Sequence, residues 1–280
     1  MSTLTRESAP APARPVAADR VRQTVVIGST VAAVVGAVVG SGLLGGTSIA
    51  RAAGGALSAD ATLLAPAGPA FGIWSVIYAG LVLYAIWQAL PSQAGRDRQR
   101  RAGYWMAASL LLNAAWILSV QAGLLGVSVA VIVALLVVLI VAFVRLLARP
   151  GGTTADAVLF DGVVGLYLGW VMVATVANIA AALTAAGFDG FGWSIHAWGL
   201  AVVAGVALIG CALALWDRGR LAPAAASAWG LAWVGVARLE GATPSTPVAV
   251  AAFAAAALIA LVAIAARVAG PSRPARTTRL

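Results

Sequence analysis

Eight apolar runs, each long enough to cross a bilayer, constrain the fold of this chain more than any other feature of its sequence. A helix needs about 20 mainly apolar residues to span the hydrocarbon core, where it satisfies its own backbone hydrogen bonds. The chain is 62% hydrophobic and only 10% charged, unlike a soluble domain. We therefore predict an all-α, polytopic transmembrane helix bundle. The expected spans are residues 24–45, 70–90, 103–122, 126–148, 158–185, 195–216, 223–240 and 247–269.

The positive charge predicts how these spans are oriented. All 18 basic residues are arginine, and the net charge is +9. With both termini in the cytoplasm, every arginine except Arg51 and Arg238 falls on the cytoplasmic side, as the positive-inside rule requires. We expect an integral protein of the bacterial inner (plasma) membrane that has membrane lipid, and no nucleic acid, as a partner.

The two ends of the chain are polar and basic. The N-terminal stretch is rich in Ala, Pro, Ser and Thr with scattered arginines, and it cannot bury enough apolar surface to fold. We predict a disordered tail over residues 1–23 and a second basic tail over residues 271–280. The first apolar run is longer than the core of a signal peptide, so it is expected to be retained as a span.

Three spans carry aromatic and polar side chains on one helical face at comparable depth. At about 100° per residue, the second, third and fifth spans each present such a face. Amides facing hydrocarbon are costly, so they must turn inward to a partner, a water or a ligand. An aromatic belt at the interface or simple packing remains the alternative. A pocket for a flat, partly polar ligand fits the pattern better. The candidate ligand-binding residues are Phe71, Trp74, Tyr78, Asn113, Trp116, Tyr167, Trp170, Ala174 and Asn178.

Small residues recur on one face of two spans. Such stripes let helix backbones approach closely in lipid, so we predict packing against a neighbouring helix or a second subunit. The positions are Gly28, Ala32, Gly36 and Gly40 in the first span, and Gly165 and Gly169 in the fifth.

A few polar groups lie away from the predicted pocket face. Asp161 begins the fifth span, where it is either a proton carrier or a carboxylate stabilised by the helix dipole. Arg238 and Glu240 end the seventh span, where we expect them to be solvated or paired. The single His196 and Cys211 leave little material for acid–base, nucleophilic or metal chemistry. We therefore predict no catalytic residues and no metal site.

Three stretches in order along the chain resemble a known family. AFGIWSVIY (residues 70–78), LNAAW (112–116) and YLGWVMVATVAN (167–178) are similar to motifs in the second, third and fifth helices of the TspO and translocator-protein family, the tryptophan-rich sensory proteins. Three departures accompany the resemblance. Ile73 stands where the family usually has proline, the fourth span lacks the expected tryptophan, and no tyrosine followed by a basic residue comes after the fifth span. Steroid binding is therefore not expected.

The resemblance implies a five-helix bundle over residues 24–185, frequently dimeric. The three additional helices predicted over residues 186–270 have no counterpart in that five-helix fold. It implies a pocket for porphyrins and other hydrophobic small molecules, roofed by residues 46–69. Trp74, Asn113 and Ala174 would contact the ligand there. The other aromatic and amide candidates would complete or brace the cavity.

Several functions follow from these expectations. The first is a sensory or binding membrane protein that holds a porphyrin-like or heme-like ligand. Whether it also transports that ligand is left open by the sequence. The alternatives are a proton-coupled small-molecule transporter that uses Asp161, and a membrane enzyme that degrades porphyrins. None of the candidate site residues requires a cofactor. A homodimer is among the expected assemblies.

Overall fold

Long helices make up most of the chain in a computed structural model, which describes residues 14–42, 47–49, 51–148 and 153–269. Within these ranges the chain forms eight long helices, and the prediction of an all-α polytopic bundle is confirmed. The helices are α1 Ala17–Gly40, α2 Ile73–Ala89, α3 Asp97–Gln121, α4 Leu125–Leu147, α5 Val163–Ala185, α6 Ile195–Trp216, α7 Leu221–Glu240 and α8 Thr246–Ala269.

Shorter helical turns lengthen or connect these helices. A 3₁₀ turn, Gly68–Gly72, leads directly into α2, with proline in its first turn where no backbone donor is needed. A π-helical turn, Asp156–Gly162, leads into α5. One helical turn, Pro91–Ala94, separates α2 from α3. A second 3₁₀ turn, Ala52–Gly55, lies in the connection from α1 to α2.

Helix α7 differs from the other long helices in the described residues. The other seven are long and apolar enough to cross a membrane. Helix α7 is not among them, although its 20 residues match the bilayer thickness. Its sequence mixes Gly, Ser, Trp and Pro with the terminal Arg238 and Glu240, which lowers its mean hydropathy. It packs against α5 on one side and α8 on the other, so protein supplies much of its surroundings.

The helices pack in an order that keeps the first five together. Helix α1 packs on α3, α3 on α4, and α4 on α5, while α2 lies against α1 and α5. Helix α7 then joins α5 to α8, and α6 packs on α8. One buried apolar cluster fills the first five helices, and a second lies among α5–α8. Helices α5 and α7 are therefore the contact between the two groups.

The N-terminal boundary differs from the prediction. Helix α1 begins at Ala17, so residues 17–23 are folded and not part of a disordered tail. Asp19 and Arg22 are 3% and 1% exposed, and Arg22 donates a hydrogen bond to the Ala94 carbonyl at 3.0 Å. Arg100 pairs with Asp19 at 2.7 Å. These distant partners extend the helix beyond its apolar run. The predicted tail at residues 1–13 and the C-terminal tail lie outside the described residues.

The small-residue stripes pack within the chain at several positions. A methyl group at Gly36 would lie 3.2 Å from Ala114 on α3, and one at Gly40 would lie 2.4 Å from Ile117. Gly28 has nothing within 4 Å of such a group. Gly165 and Gly169 face α7. The stripe on α1 therefore serves helix packing at its second half and leaves its first half open.

Asp161 lies in a buried ion-pair network at the end of the bundle where α3 and α5 begin. Its carboxylate pairs with Arg98 and, at 3.0 Å, with Arg220. Asp156 pairs with Arg96 at 2.7 Å and with Arg98 at 3.3 Å. Of the two predictions for Asp161, the structure favours a structural role. Its carboxylate is stabilised by the two arginines more than by the helix dipole.

Asp217, just after α6, is expected to make the stability of the protein depend on pH. Burial raises the pKa of its carboxyl from the usual 3.8 to about 6. The folded state therefore takes up a proton near pH 6 that the unfolded state takes up only near pH 4, so stability increases as pH falls from 7 to 5. Each pKa unit is worth about 1.4 kcal/mol, and we expect Asp217→Asn to stabilise the protein at pH 7.5 by roughly 1–2 kcal/mol. Melting temperatures between pH 5 and 8 test this, and the gain should shrink toward pH 5.

The exposed Asp97 provides the control for this experiment. Asp97→Asn should leave the pH dependence of the melting temperature unchanged. If Asp217→Asn and Asp97→Asn have the same effect at every pH, burial of Asp217 is not the cause.

Candidate ligand-binding site

An aromatic cluster around Trp74 brings α2, α3 and α5 together. The Trp74 ring stacks on Trp116 with centroids 6.5 Å apart and an interplanar angle of 27°. Tyr78 lies 5.5 Å from the Trp74 ring. Tyr167 and Trp170 present their edges to it at 5.8 and 6.2 Å. The three predicted faces therefore converge, as the spacing on each helix indicated.

Two asparagines fix the orientation of these rings. The Tyr78 hydroxyl donates to Oδ1 of Asn113. The indole N–H of Trp116 donates to Oδ1 of Asn178 at 2.7 Å, and the Asn178 amide donates to Ser128 Oγ at 3.0 Å. Ser128 lies on α4, which the sequence did not connect with the site. The two amides are thus satisfied partly by the protein itself.

Tyr167 supports the cluster from behind. It is fully buried, and its hydroxyl donates to the backbone carbonyl of Ser109 at 3.3 Å. It lines neither of the cavities described below. Of the predicted site residues, Tyr167 is therefore a brace for Trp74.

A cavity of about 560 Å³ lies between α1, α2, α3 and the connection that follows α1. Ligand pockets are typically about 300–1,000 Å³ and mostly apolar, so this volume suits a small molecule. Tyr78 and Asn113 lie in its wall, and α1 contributes a further apolar wall that the sequence did not predict. The α1 residues are Val34, Ala37 and Val38, and Ser41 follows directly after the helix.

A second, much smaller void of about 40 Å³ lies on the α5 side of the cluster. Trp170, Ala174 and Asn178 line this void and not the larger cavity. The single pocket expected from the sequence is therefore divided in two. The residues that line both compartments, and so form the partition, are Leu57, Phe71, Trp74 and Trp116.

The connection after α1 covers both compartments, as the resemblance implied. We refer to its described residues, 47–49 and 51–72, as the roof. Ser48, Ile49, Leu57 and Ala59 line the larger cavity, while roof residues from Ala56 to Pro66 line the void. The Gln121 amide at the end of α3 donates to the Thr47 carbonyl at 2.8 Å, which anchors the first part of the roof.

Two buried donors in the site have no hydrogen-bond partner among the described residues. They are Nδ2 of Asn113 and the indole Nε1 of Trp170, in side chains 2% and 1% exposed. Unpaired buried donors are costly, so a ligand in the larger cavity that offers an acceptor gains from Asn113, whereas Trp170 borders only the smaller void. Stacking rings and free donors together suit a flat molecule that carries oxygen acceptors.

No metal-ligating cluster accompanies these residues in the part of the chain that the structure describes, where no three His, Cys, Asp or Glu residues lie together. The site therefore offers stacking, apolar contact and hydrogen bonding. The sequence missed Ser128 and the α1 wall because an apolar or hydroxyl residue in a span has the same sequence signal whether it packs or lines a cavity. It missed Leu57 because no helical period specifies the position of a residue in a connection.

Fold and site together define a polytopic helical membrane protein with an aromatic-lined cavity among its first five helices. The sequence profile of one family, described as TSPO-like protein, matches residues 25–265. The chain belongs to the TSPO-like protein family. The match runs into α8, so α6, α7 and most of α8 lie within the matched region. No curated protein and no solved structure matches the chain.

Proposed function

We propose that the protein holds a flat hydrophobic molecule, with a porphyrin-like ring as the leading candidate, in the larger cavity. The observation that carries the proposal is a cavity of about 560 Å³ walled by the stacked Trp74–Trp116 pair and by Asn113. It would do so in a bacterial plasma membrane with both termini cytoplasmic, and no cofactor would be needed.

The chemistry of the walls supports this class of ligand. Indole faces stack on planar rings, and each aromatic pair adds about 0.5–1.5 kcal/mol beyond the buried area. The free amide N–H of Asn113 would donate to a carboxylate or carbonyl oxygen at the rim of such a ring. The remaining wall residues from α1 and the roof are apolar, apart from Ser41 and Ser48.

Titration of the purified protein with protoporphyrin, followed by quenching of tryptophan fluorescence, tests the proposal. Trp74→Ala removes the stacking face, and we expect the dissociation constant to rise about tenfold or more, which corresponds to ~1.4 kcal/mol or more. Asn113→Ala should also weaken binding, because it removes the free donor. Absorbance titration in parallel separates affinity from the loss of a fluorophore.

Trp193→Ala is the matched control for Trp74→Ala. Trp193 is 61% exposed in the connection before α6 and contacts neither compartment. Affinity should be unchanged in this variant. An unchanged affinity in both Trp74→Ala and Asn113→Ala, with melting temperatures near that of the wild type, would rule out this cavity as the binding site.

The same material distinguishes the alternative functions. Loss of the porphyrin spectrum under illumination would favour a degrading enzyme. Uptake into proteoliposomes that depends on a proton gradient and disappears in Asp161→Asn would favour a proton-coupled transporter. Saturable binding without either result favours a binding or sensory protein.

A further inference from the structure

The second half of the roof is hydrogen-bonded to α7. The backbone N–H of Ala67 donates to the Trp233 carbonyl at 3.0 Å. The indole N–H of Trp229 donates to the Ala70 carbonyl at 2.9 Å. Two successive turns of α7 therefore hold the roof close to the point where it enters α2.

A buried arginine at the end of α7 makes the next attachment. Arg238 is 0% exposed, and its guanidinium donates to the carbonyl of roof residue Ala59. It also donates to the Thr243 carbonyl at 2.9 Å. Beside it, Asp60 accepts a hydrogen bond from the backbone N–H of Ala242 at 2.9 Å. A buried guanidinium is costly unless it is bonded, so this contact holds the roof to the α7–α8 connection.

Apolar side chains of the roof pack on both helix groups. Leu63 in the roof is 8% exposed and belongs to the apolar cluster of α5–α8, where it lies beside Gly199. Ala52 and Ala70, at the two ends of the roof, are buried in the cluster of the first five helices. The roof therefore joins both helix groups, and its middle part is attached to α6–α8.

We propose that Arg238 is a positioning residue for the ligand cavity, which holds Ala59 in the cavity wall and thereby sets how fast ligand enters and leaves. Ala59 lines the larger cavity, whereas Arg238 does not. Arg238 acts through the backbone of Ala59, and α6–α8 serve as the platform that keeps the roof closed. The inference rests on the proposed function for its ligand, but the attachment of the roof can be measured without one.

Hydrogen–deuterium exchange of the ligand-free protein tests the attachment. Arg238→Met keeps a long apolar side chain but removes the donors to Ala59. We expect amides in residues 57–70, including that of Ala67, to exchange about tenfold faster, since one charged hydrogen bond contributes on that scale. Exchange in α3 and α4 should not change. Arg238→Lys retains a donor and should restore much of the protection.

Stopped-flow measurement of protoporphyrin release tests the consequence for the cavity. Release should be about tenfold faster in Arg238→Met than in the wild type, and close to wild type in Arg238→Lys. Glu240→Gln is the matched control, because Glu240 is exposed at the same end of α7. This control should change neither exchange nor release.

A second variant keeps the test valid if Arg238→Met does not fold. Trp229→Phe removes the bond to Ala70 but keeps an aromatic ring in a partly exposed side chain, and it should speed exchange and release by about threefold. Roof exchange that is unchanged in every folded variant would overturn the role of Arg238 and α7. Unchanged ligand release despite faster roof exchange would overturn the control of ligand entry. A wild-type protein that binds no porphyrin would instead overturn the proposed function.

Discussion

Replacement of Arg98 by methionine is expected to lower the free energy of unfolding by about 3 kcal/mol or more. Arg98 begins α3 and is 7% exposed. It pairs with Asp161 and, at 3.3 Å, with Asp156, both of which lie in the turn that leads into α5. Removal of the guanidinium leaves two buried carboxylates with one arginine each. The melting temperature in detergent measures the effect.

Two further variants separate the ion pairs from other effects. Arg101→Met makes the same chemical change at an exposed position on the same helix, so the melting temperature should hardly change. Arg98→Lys keeps the charge and should recover part of the loss, since a single ammonium does not reproduce two guanidinium contacts. Equal losses in Arg98→Met and Arg101→Met would show that the network contributes little.

This network also bears on the transporter alternative. A proton carrier must release its partners when it takes up a proton, and Asp161 has Arg98 on one side and Arg220 on the other. The sequence alone left its role open because Arg98 lies in a different helix. Only the folded chain shows that a carboxylate in a span and an arginine before another span meet.

Local hydropathy predicted the helices well where lipid surrounds them. The spans expected at 195–216 and 247–269 correspond to α6, Ile195–Trp216, and α8, Thr246–Ala269. Hydropathy failed at the start of α1, where helix formation depends on buried partners of Asp19 and Arg22. It also could not anticipate that α7 is partly covered by protein, since burial between α5 and α8 depends on tertiary packing.

The sequence predicted those features of the site that depend on the arrangement of side chains around a single helix. The azimuths of Trp74 and Tyr78 on α2, and of Asn113 and Trp116 on α3, indicated a shared wall, and these side chains do meet. The division into two compartments depends on Leu57 in the roof, whose position no helical period specifies. Ligand binding at this wall stays a prediction.

The contact between α5 and α7 should be the most sensitive to added volume. A methyl group at Gly169 would lie 2.2 Å from the backbone carbonyl oxygen of Pro223 and 3.0 Å from Ala226. Neither a backbone oxygen nor a helix axis moves freely, so Gly169→Ala must separate α5 from α7. Such overpacking costs about 1–3 kcal/mol, and the cost is expected at the upper end here because the obstacle is backbone. The melting temperature of the purified variant measures it.

Gly28→Ala is the matched control, because the same methyl group on α1 meets nothing within 4 Å. Alanine is favoured over glycine in a helix by about 1 kcal/mol, so this variant should be slightly more stable than the wild type. Packing alone therefore predicts stability changes of opposite sign for Gly169→Ala and Gly28→Ala. Gly169 also precedes Trp170 in the aromatic cluster, and α7 holds the roof, so Gly169→Ala should weaken protoporphyrin binding as well. A shift of the same sign and size in both variants would contradict the close contact of α5 with α7.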